Sequence, residues 1–440
     1  MQRYLREIRP TLALALPIIV GQVSQMLMGV TDSLMIGRAG TVPLAASSFG
    51  GNVFAVFYVL GIGLLLPVSI LASRARGANQ PAECAEYLRH GVALALAWGL
   101  LETLGLGLLA TQLGRFGQAP EVLALVTPFF LLIAASLVPV FIYLVLRQFS
   151  EAMGHPWVPM LIMLGGVGLN AALNWVLIYG HLGAPALGLT GAGLSTLLSR
   201  TLGAVVIFAW LRRDPAIRAA WPARWFGNYS RARFREMLHI GLPASGMLLF
   251  ESSAFATSTV MVGWLGAVPL AAHQIAITCA SLSFMFPLGL SMATSMRVSR
   301  AVGAGELARR RPIAFGSMGL GALMTATFGV MFFCFGAPIA ARFVRDATVV
   351  ALAAQLLGVA ALFQLFDGGQ VIGAASLRGI TDVKVPALIT FLAYWVVALP
   401  LGYFLGVHRG FGAVGVWSGI ATGLAFAAVF LAARFARLTR

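Results

Sequence analysis

The chain has 440 residues with 59% hydrophobic and 10% charged side chains, and its mean hydropathy is +0.90. A water-soluble domain needs far more surface charge, so that class is excluded. The net charge of +16 would indicate nucleic acid in a soluble protein, but here the basic residues sit in connections between apolar runs, where they set membrane topology, and no nucleic-acid partner is expected.

Apolar runs of about 20 residues or more recur along the chain, enough to cross a hydrocarbon layer of about 30 Å as helices. The first run, 11–36, contains Pro17 and Asp32 and lacks a small-x-small cleavage site at its end, so it is read as a retained span. Next come 44–72, then 88–112 with Glu102 in its interior, then 124–149, after which Glu151 is read as interfacial. The fifth run, 156–179, places Asn170 and Asn174 at i and i+4 on one helix face. The sixth, 187–211, carries Thr196 and Arg200. A polar connection, 212–235, holds seven arginines and separates six runs from six. The remaining runs are 236–264 with Glu251, 270–298, 312–338, 348–377 with Asp367, 384–407 and 411–433.

The expected fold is therefore an all-α polytopic membrane protein of twelve transmembrane helices in two pseudo-symmetric lobes of six. The lobes are 1–211 and 236–440, with 212–235 as a basic cytoplasmic linker. With the N-terminus inside, 24 of the 30 basic side chains fall on the inner side, Arg147 among them, which puts both termini in the cytoplasm. Cys84, Cys279 and Cys334 are far apart and show no metal or disulfide spacing.

The halves match at a constant offset of 226. Leu16-Pro17 pairs with Leu242-Pro243, MIGRAGTVPLAA (35–46) with MVGWLGAVPLAA (261–272), and SRARGAN (73–79) with SRAVGAG (299–305). An even number of spans per repeat gives both lobes the same orientation, the arrangement of transporters that rock two lobes about a central site.

A carboxylate in a membrane interior must be paired, protonated or facing water, so Asp32, Glu251 and Asp367 are functional candidates. None has an acidic counterpart in the other repeat: at offset 226 Asp32 aligns with Ser258 and Glu251 with Gln25, and at offset 227, which pairs Val158-Pro159 with Val385-Pro386, Asp367 aligns with Val140. Amide and hydroxyl oxygens of Asn170, Asn174 and Thr196 beside a carboxylate make a hard-cation site suited to Na⁺; ordinary interhelical hydrogen bonding is their other reading. The single lysine, Lys384, follows valine, so the chain has no GxxxxGK[ST] phosphate loop, and energy must come from an ion gradient or a partner.

Pro17, Asp32, Met35, Gly37 and PLAA (43–46) in and after the first span, Glu251 in the seventh, and Asp367, Gln370, Gly373, LRG (377–379) and Pro386 from the tenth onward resemble the multidrug and toxic compound extrusion (MATE) family in its bacterial NorM-type branch. The resemblance covers nearly the whole chain. It implies a monomeric antiporter of the bacterial inner membrane, embedded in lipid, that exports small organic cations and drugs against inward Na⁺ or H⁺. It implies no cofactor and no enzymatic activity. It implies cation coupling or substrate binding at Glu251 and Asp367, with a second ion site at Asp32, Asn170, Asn174 and Thr196. Phe363, one turn before Asp367, stands where a related transporter carries tyrosine; losing that hydroxyl weakens a Na⁺ site and tilts coupling toward protons. A lipid-linked-sugar flippase shares this architecture, but basic residues to hold a pyrophosphate are nearly absent from the spans.

Overall fold

The computed structural model describes residues 2–440, and every regular element among them is helical. In chain order these are α1 (Gln2–Ala39), α2 (Thr41–Leu65), α3 (Pro67–Gly77), α4 (Pro81–Ala110), α5 (Pro120–Ala135), α6 (Leu137–Ala152), α7 (Trp157–Tyr179) and α8 (Gly188–Arg213). They continue with α9 (Arg231–Gly263), α10 (Ala267–Gly303), α11 (Arg310–Ala340), α12 (Ala347–Gly379), α13 (Lys384–Phe391), α14 (Leu399–Tyr403) and α15 (Gly412–Leu438). Pro67 has no N–H to extend a helical ladder, so α2 and α3 are one span broken at Leu66. α5 and α6 meet at Ser136, and α13 and α14 are joined by a π-helical stretch, Leu392–Ala398.

Counted this way there are twelve spans. Eleven are long and apolar enough to cross a membrane. α9 has the length, 33 residues, but its apolar face is diluted by Glu251, Ser252, Ser253, Thr257, Ser258 and Thr259. α12 opens on a side-chain cap, with Asp346 accepting hydrogen bonds from the backbone of Thr348 at 2.8 Å and Val349 at 3.4 Å.

The chain divides into two compact units, and the division does not fall at the linker. One unit is Val20–Ser245; the other combines the chain up to Ile19 with Gly246–Arg440. Each unit thus holds the opening part of the other repeat's first helix. Two equivalent glycines explain why. A Cβ on Gly289 would lie 2.9 Å from the backbone of Ile19, and one on Gly63 would lie 2.3 Å from the Cα of Ser245. Positions 63 and 289 are related by the 226-residue offset, and so are 19 and 245. Only a residue without a side chain lets these helices approach so closely.

Within the second unit α12 is the central helix, packed against α10, α11 and α15. Its core is built from Leu356, Leu357, Phe363, Tyr394, Trp417 and their neighbours. Within the first unit α6 lies against α3, α4 and α8.

Candidate functional site

In the unit Val20–Ser245, α1 and α7 bring together three of the expected residues. The Asn174 Nδ2 donates to Asp32 Oδ1 at 2.5 Å and to Asn170 Oδ1 at 3.2 Å. Both asparagines are fully buried, and Asn174 Oδ1 and Asn170 Nδ2 have no partner. The i, i+4 spacing on α7 therefore makes an amide ladder that ends on the α1 carboxylate.

Asp32 also lines a cavity of about 210 Å³ together with Gln25, Tyr58, Thr196 and Arg200. Thr196 sits on the wall rather than on the carboxylate, and its hydroxyl donates to Ala192 O of its own helix at 3.0 Å. Arg200 is within Coulombic reach of Asp32, donates to Ser136 Oγ at 2.7 Å and stacks over Phe54 at 5.1 Å. Gln25 and Val140, the repeat counterparts of Glu251 and Asp367, line the same cavity, and Gln25 donates to the Tyr58 hydroxyl at 2.9 Å.

Arg147 and Glu151 are buried within the protein: they are 5% and 4% exposed and pair at 2.8 Å on α6, with Arg147 also donating to Gln22 Oε1 at 2.7 Å. An i, i+4 pair of opposite charge can neutralise itself inside a lobe, and that option is what a reading of span ends overlooks. Glu102 is buried on α4, with neither carboxyl oxygen hydrogen-bonded, and lies outside the residues that line the cavity.

In the other unit, Glu251 on α9 and Asp367 on α12 lie close enough to interact electrostatically. Gln370 and Arg378 both lie within electrostatic reach of the Glu251 carboxylate. Asp367 is buried, with Oδ1 unpartnered, and Gln370 Oε1 and both polar atoms of Gln364 are unpartnered as well. Phe363 packs against Trp417, with ring centroids 5.6 Å apart, and Phe255, 6.2 Å. Ser258, the counterpart of Asp32, donates to Ala254 O at 2.9 Å and joins no carboxylate. So the acids fall into two groups, one per unit, each on one repeat's own residues.

Comparisons with known proteins show the same twofold repeat. The MatE family model matches twice, over 17–176 and 243–404, starting at the two prolines that the internal repeat aligns. A relative from Mesorhizobium japonicum, a probable multidrug resistance protein NorM, is 35% identical, covering 99% of this chain and 95% of its own. A probable multidrug resistance protein NorM of Pseudomonas putida is 36% identical, covering 97% and 93%. The multidrug resistance protein NorM of Burkholderia vietnamiensis is 35% identical over 97% and 93%. Among solved structures, an outward-facing multidrug resistance MATE family transporter of the MOP superfamily superimposes with a TM-score of 0.89 at 22% identity, covering 98% of this chain and 95% of its own. The chain belongs to the MatE family, in its bacterial NorM-type branch.

Proposed function

We propose that the protein is a secondary multidrug exporter that releases small organic cations in exchange for inward-moving Na⁺ or H⁺. The observation that carries this reading is the pair of carboxylates, Glu251 and Asp367, close enough to interact electrostatically inside an apolar unit without enough fixed positive charge to satisfy both. Two like charges held together in such surroundings cannot both stay ionised and unpaired. They hold a proton, a metal cation or an organic cation, and these compete. Facing outward, the drug leaves as the ion enters; facing inward, the ion leaves and a new cation is drawn in. Relatives named multidrug resistance proteins support the substrate class.

Access to these sites alternates between the two sides of the membrane. The protein sits as a monomer in the bacterial inner membrane with both termini cytoplasmic. The flippase reading is not favoured: the two arginines lining the cavity of the Val20–Ser245 unit are both balanced, Arg147 by Glu151 and Arg200 by Asp32, which leaves no free cluster for a pyrophosphate.

The test is transport of a fluorescent organic cation by purified protein in liposomes, with Na⁺ and pH gradients imposed separately. Movement driven by a gradient and lost in Asp367→Asn is the expected result. No movement under either gradient, from well-folded protein, would overturn the reading and favour the flippase.

A further inference from the structure

Tyr394 is a buried group with no role so far. It lies in the π-helical stretch Leu392–Ala398, is 1% exposed, and its hydroxyl has no hydrogen-bond partner. That hydroxyl is within Coulombic reach of both Glu251 and Asp367. An orphaned hydroxyl in an apolar interior costs about 1–3 kcal/mol, so its retention calls for a compensating interaction. Three more unpartnered oxygens lie on α12: Asp367 Oδ1, Gln370 Oε1 and Gln364 Oε1. Phe363, on the same helix, contributes a ring and no oxygen.

The local backbone explains how the tyrosine comes to lie near the acids. π turns are rare and cluster at functional positions, because one extra residue per turn rotates the side chains that follow. Here the turn is pressed inward by α15, which carries glycine at 415, 419 and 423. A Cβ on Gly423 would lie 2.5 Å from Ala393 O, and one on Gly419 would lie 2.3 Å from Gly402 N. With no side chains between them, α15 closes onto the π stretch and leaves Tyr394 no lipid-facing alternative. Its ring lies beside Phe255, with centroids 6.1 Å apart, on the same helix as Glu251.

We propose that the Tyr394 hydroxyl is a direct ligand of a monovalent metal cation held between Glu251 and Asp367, and that it sets the affinity of that site for Na⁺. The inference rests on the reading of Glu251 and Asp367 as the coupling pair. The phenol stays protonated and turns a lone pair to the ion, so the cation gains an oxygen without added negative charge.

The test is saturable binding of radioactive Na⁺ to the purified full-length protein in detergent. An Asp32→Asn background removes the other candidate ion site. In that background Tyr394→Phe raises the half-saturating Na⁺ concentration by about tenfold or more, the loss expected for one contact to a charged partner. Asp367→Asn abolishes binding. Because the removed oxygen has no partner within the fold, Tyr394→Phe melts with its parent in Na⁺-free buffer. Unchanged half-saturation in Tyr394→Phe, with binding still lost in Asp367→Asn, overturns this inference alone. Binding that survives Asp367→Asn overturns the coupling-pair reading beneath it. A parent that binds no Na⁺ overturns the assignment of a metal ligand.

Discussion

Glu83 and Arg233 meet at 2.7 Å, and their counterparts 226 residues away, Arg309 and Glu7, meet at 2.9 Å with the charges exchanged. Glu7 lies in the second turn of α1 and docks on Arg309 and Arg297 of the unit that contains Gly246–Arg440. Arg233 begins α9 and docks on Glu83 and Glu86 of α4. Had each helix stayed with its own repeat, Glu7 would face Glu83, and Arg233 would face Arg309. Like charges would oppose both contacts, so the charge pattern selects the exchanged arrangement over its pseudo-symmetric alternative.

That selection is testable by swapping charges. Glu83→Arg lowers the melting temperature of the detergent-purified protein, and adding Arg233→Glu restores most of the loss. The effect is small, up to about 1 kcal/mol, because the pair is partly exposed. Glu7→Arg has the larger effect, since Glu7 is 9% exposed and answers two arginines. A double variant no more stable than the single one would count against selection by charge.

At the α1–α7 site, Asp32→Asn removes the acid while keeping the shape of the side chain. Protein yield and melting stay near wild type, and ion-driven movement of a fluorescent cation through this site is lost. Asn174→Ala takes away the donor that orients Asp32. It weakens ion affinity by about tenfold to a hundredfold, the range for a hydrogen bond to a charged group of about 1.5–3 kcal/mol. Ion titrations of transport rate separate these two effects.

The glycine crossings admit no side chain. Gly289→Leu and Gly63→Leu each force α1 or α9 away from its partner and destabilise by about 1–3 kcal/mol or more. Gly29→Ala, where a Cβ meets nothing within 4 Å, serves as the tolerated control. Thermal melting in detergent reads all three.

The buried Arg147–Glu151 pair predicts a different pattern. Glu151→Ala leaves a guanidinium unpaired among apolar helices and costs about 3–5 kcal/mol, whereas replacing both residues with apolar ones of similar size costs much less. A double-mutant cycle on melting checks this. Equal losses in the single and double variants would show that the pair is not buried as described.

Much of this protein follows from one-dimensional pattern. Lipid cannot hydrogen-bond a bare backbone, so long apolar runs must be helices, and their number follows from counting. The repeat is visible because proline, glycine and arginine positions coincide at one offset. Asn170 and Asn174 are legible as neighbours because a helix places i and i+4 together. Asp32, Glu251 and Asp367 stand out because charge is rare within spans. Tyr394 gave no such signal: tyrosine is common near membrane interfaces, and nothing local marks a π turn.

What required the tertiary structure were relationships between distant segments. Helical period and hydropathy say which face of a span is polar, but not which other helix that face meets. Only packing brings the α7 amides to the α1 carboxylate, turns Arg147 and Glu151 inward, puts Tyr394 within electrostatic reach of two acids on other helices, and exchanges the opening parts of α1 and α9 between the units. The physical reason is that such contacts depend on where glycines permit close approach and where charges oppose it. Both are pairwise terms between residues hundreds of positions apart, whereas helix formation in a membrane is settled within each segment.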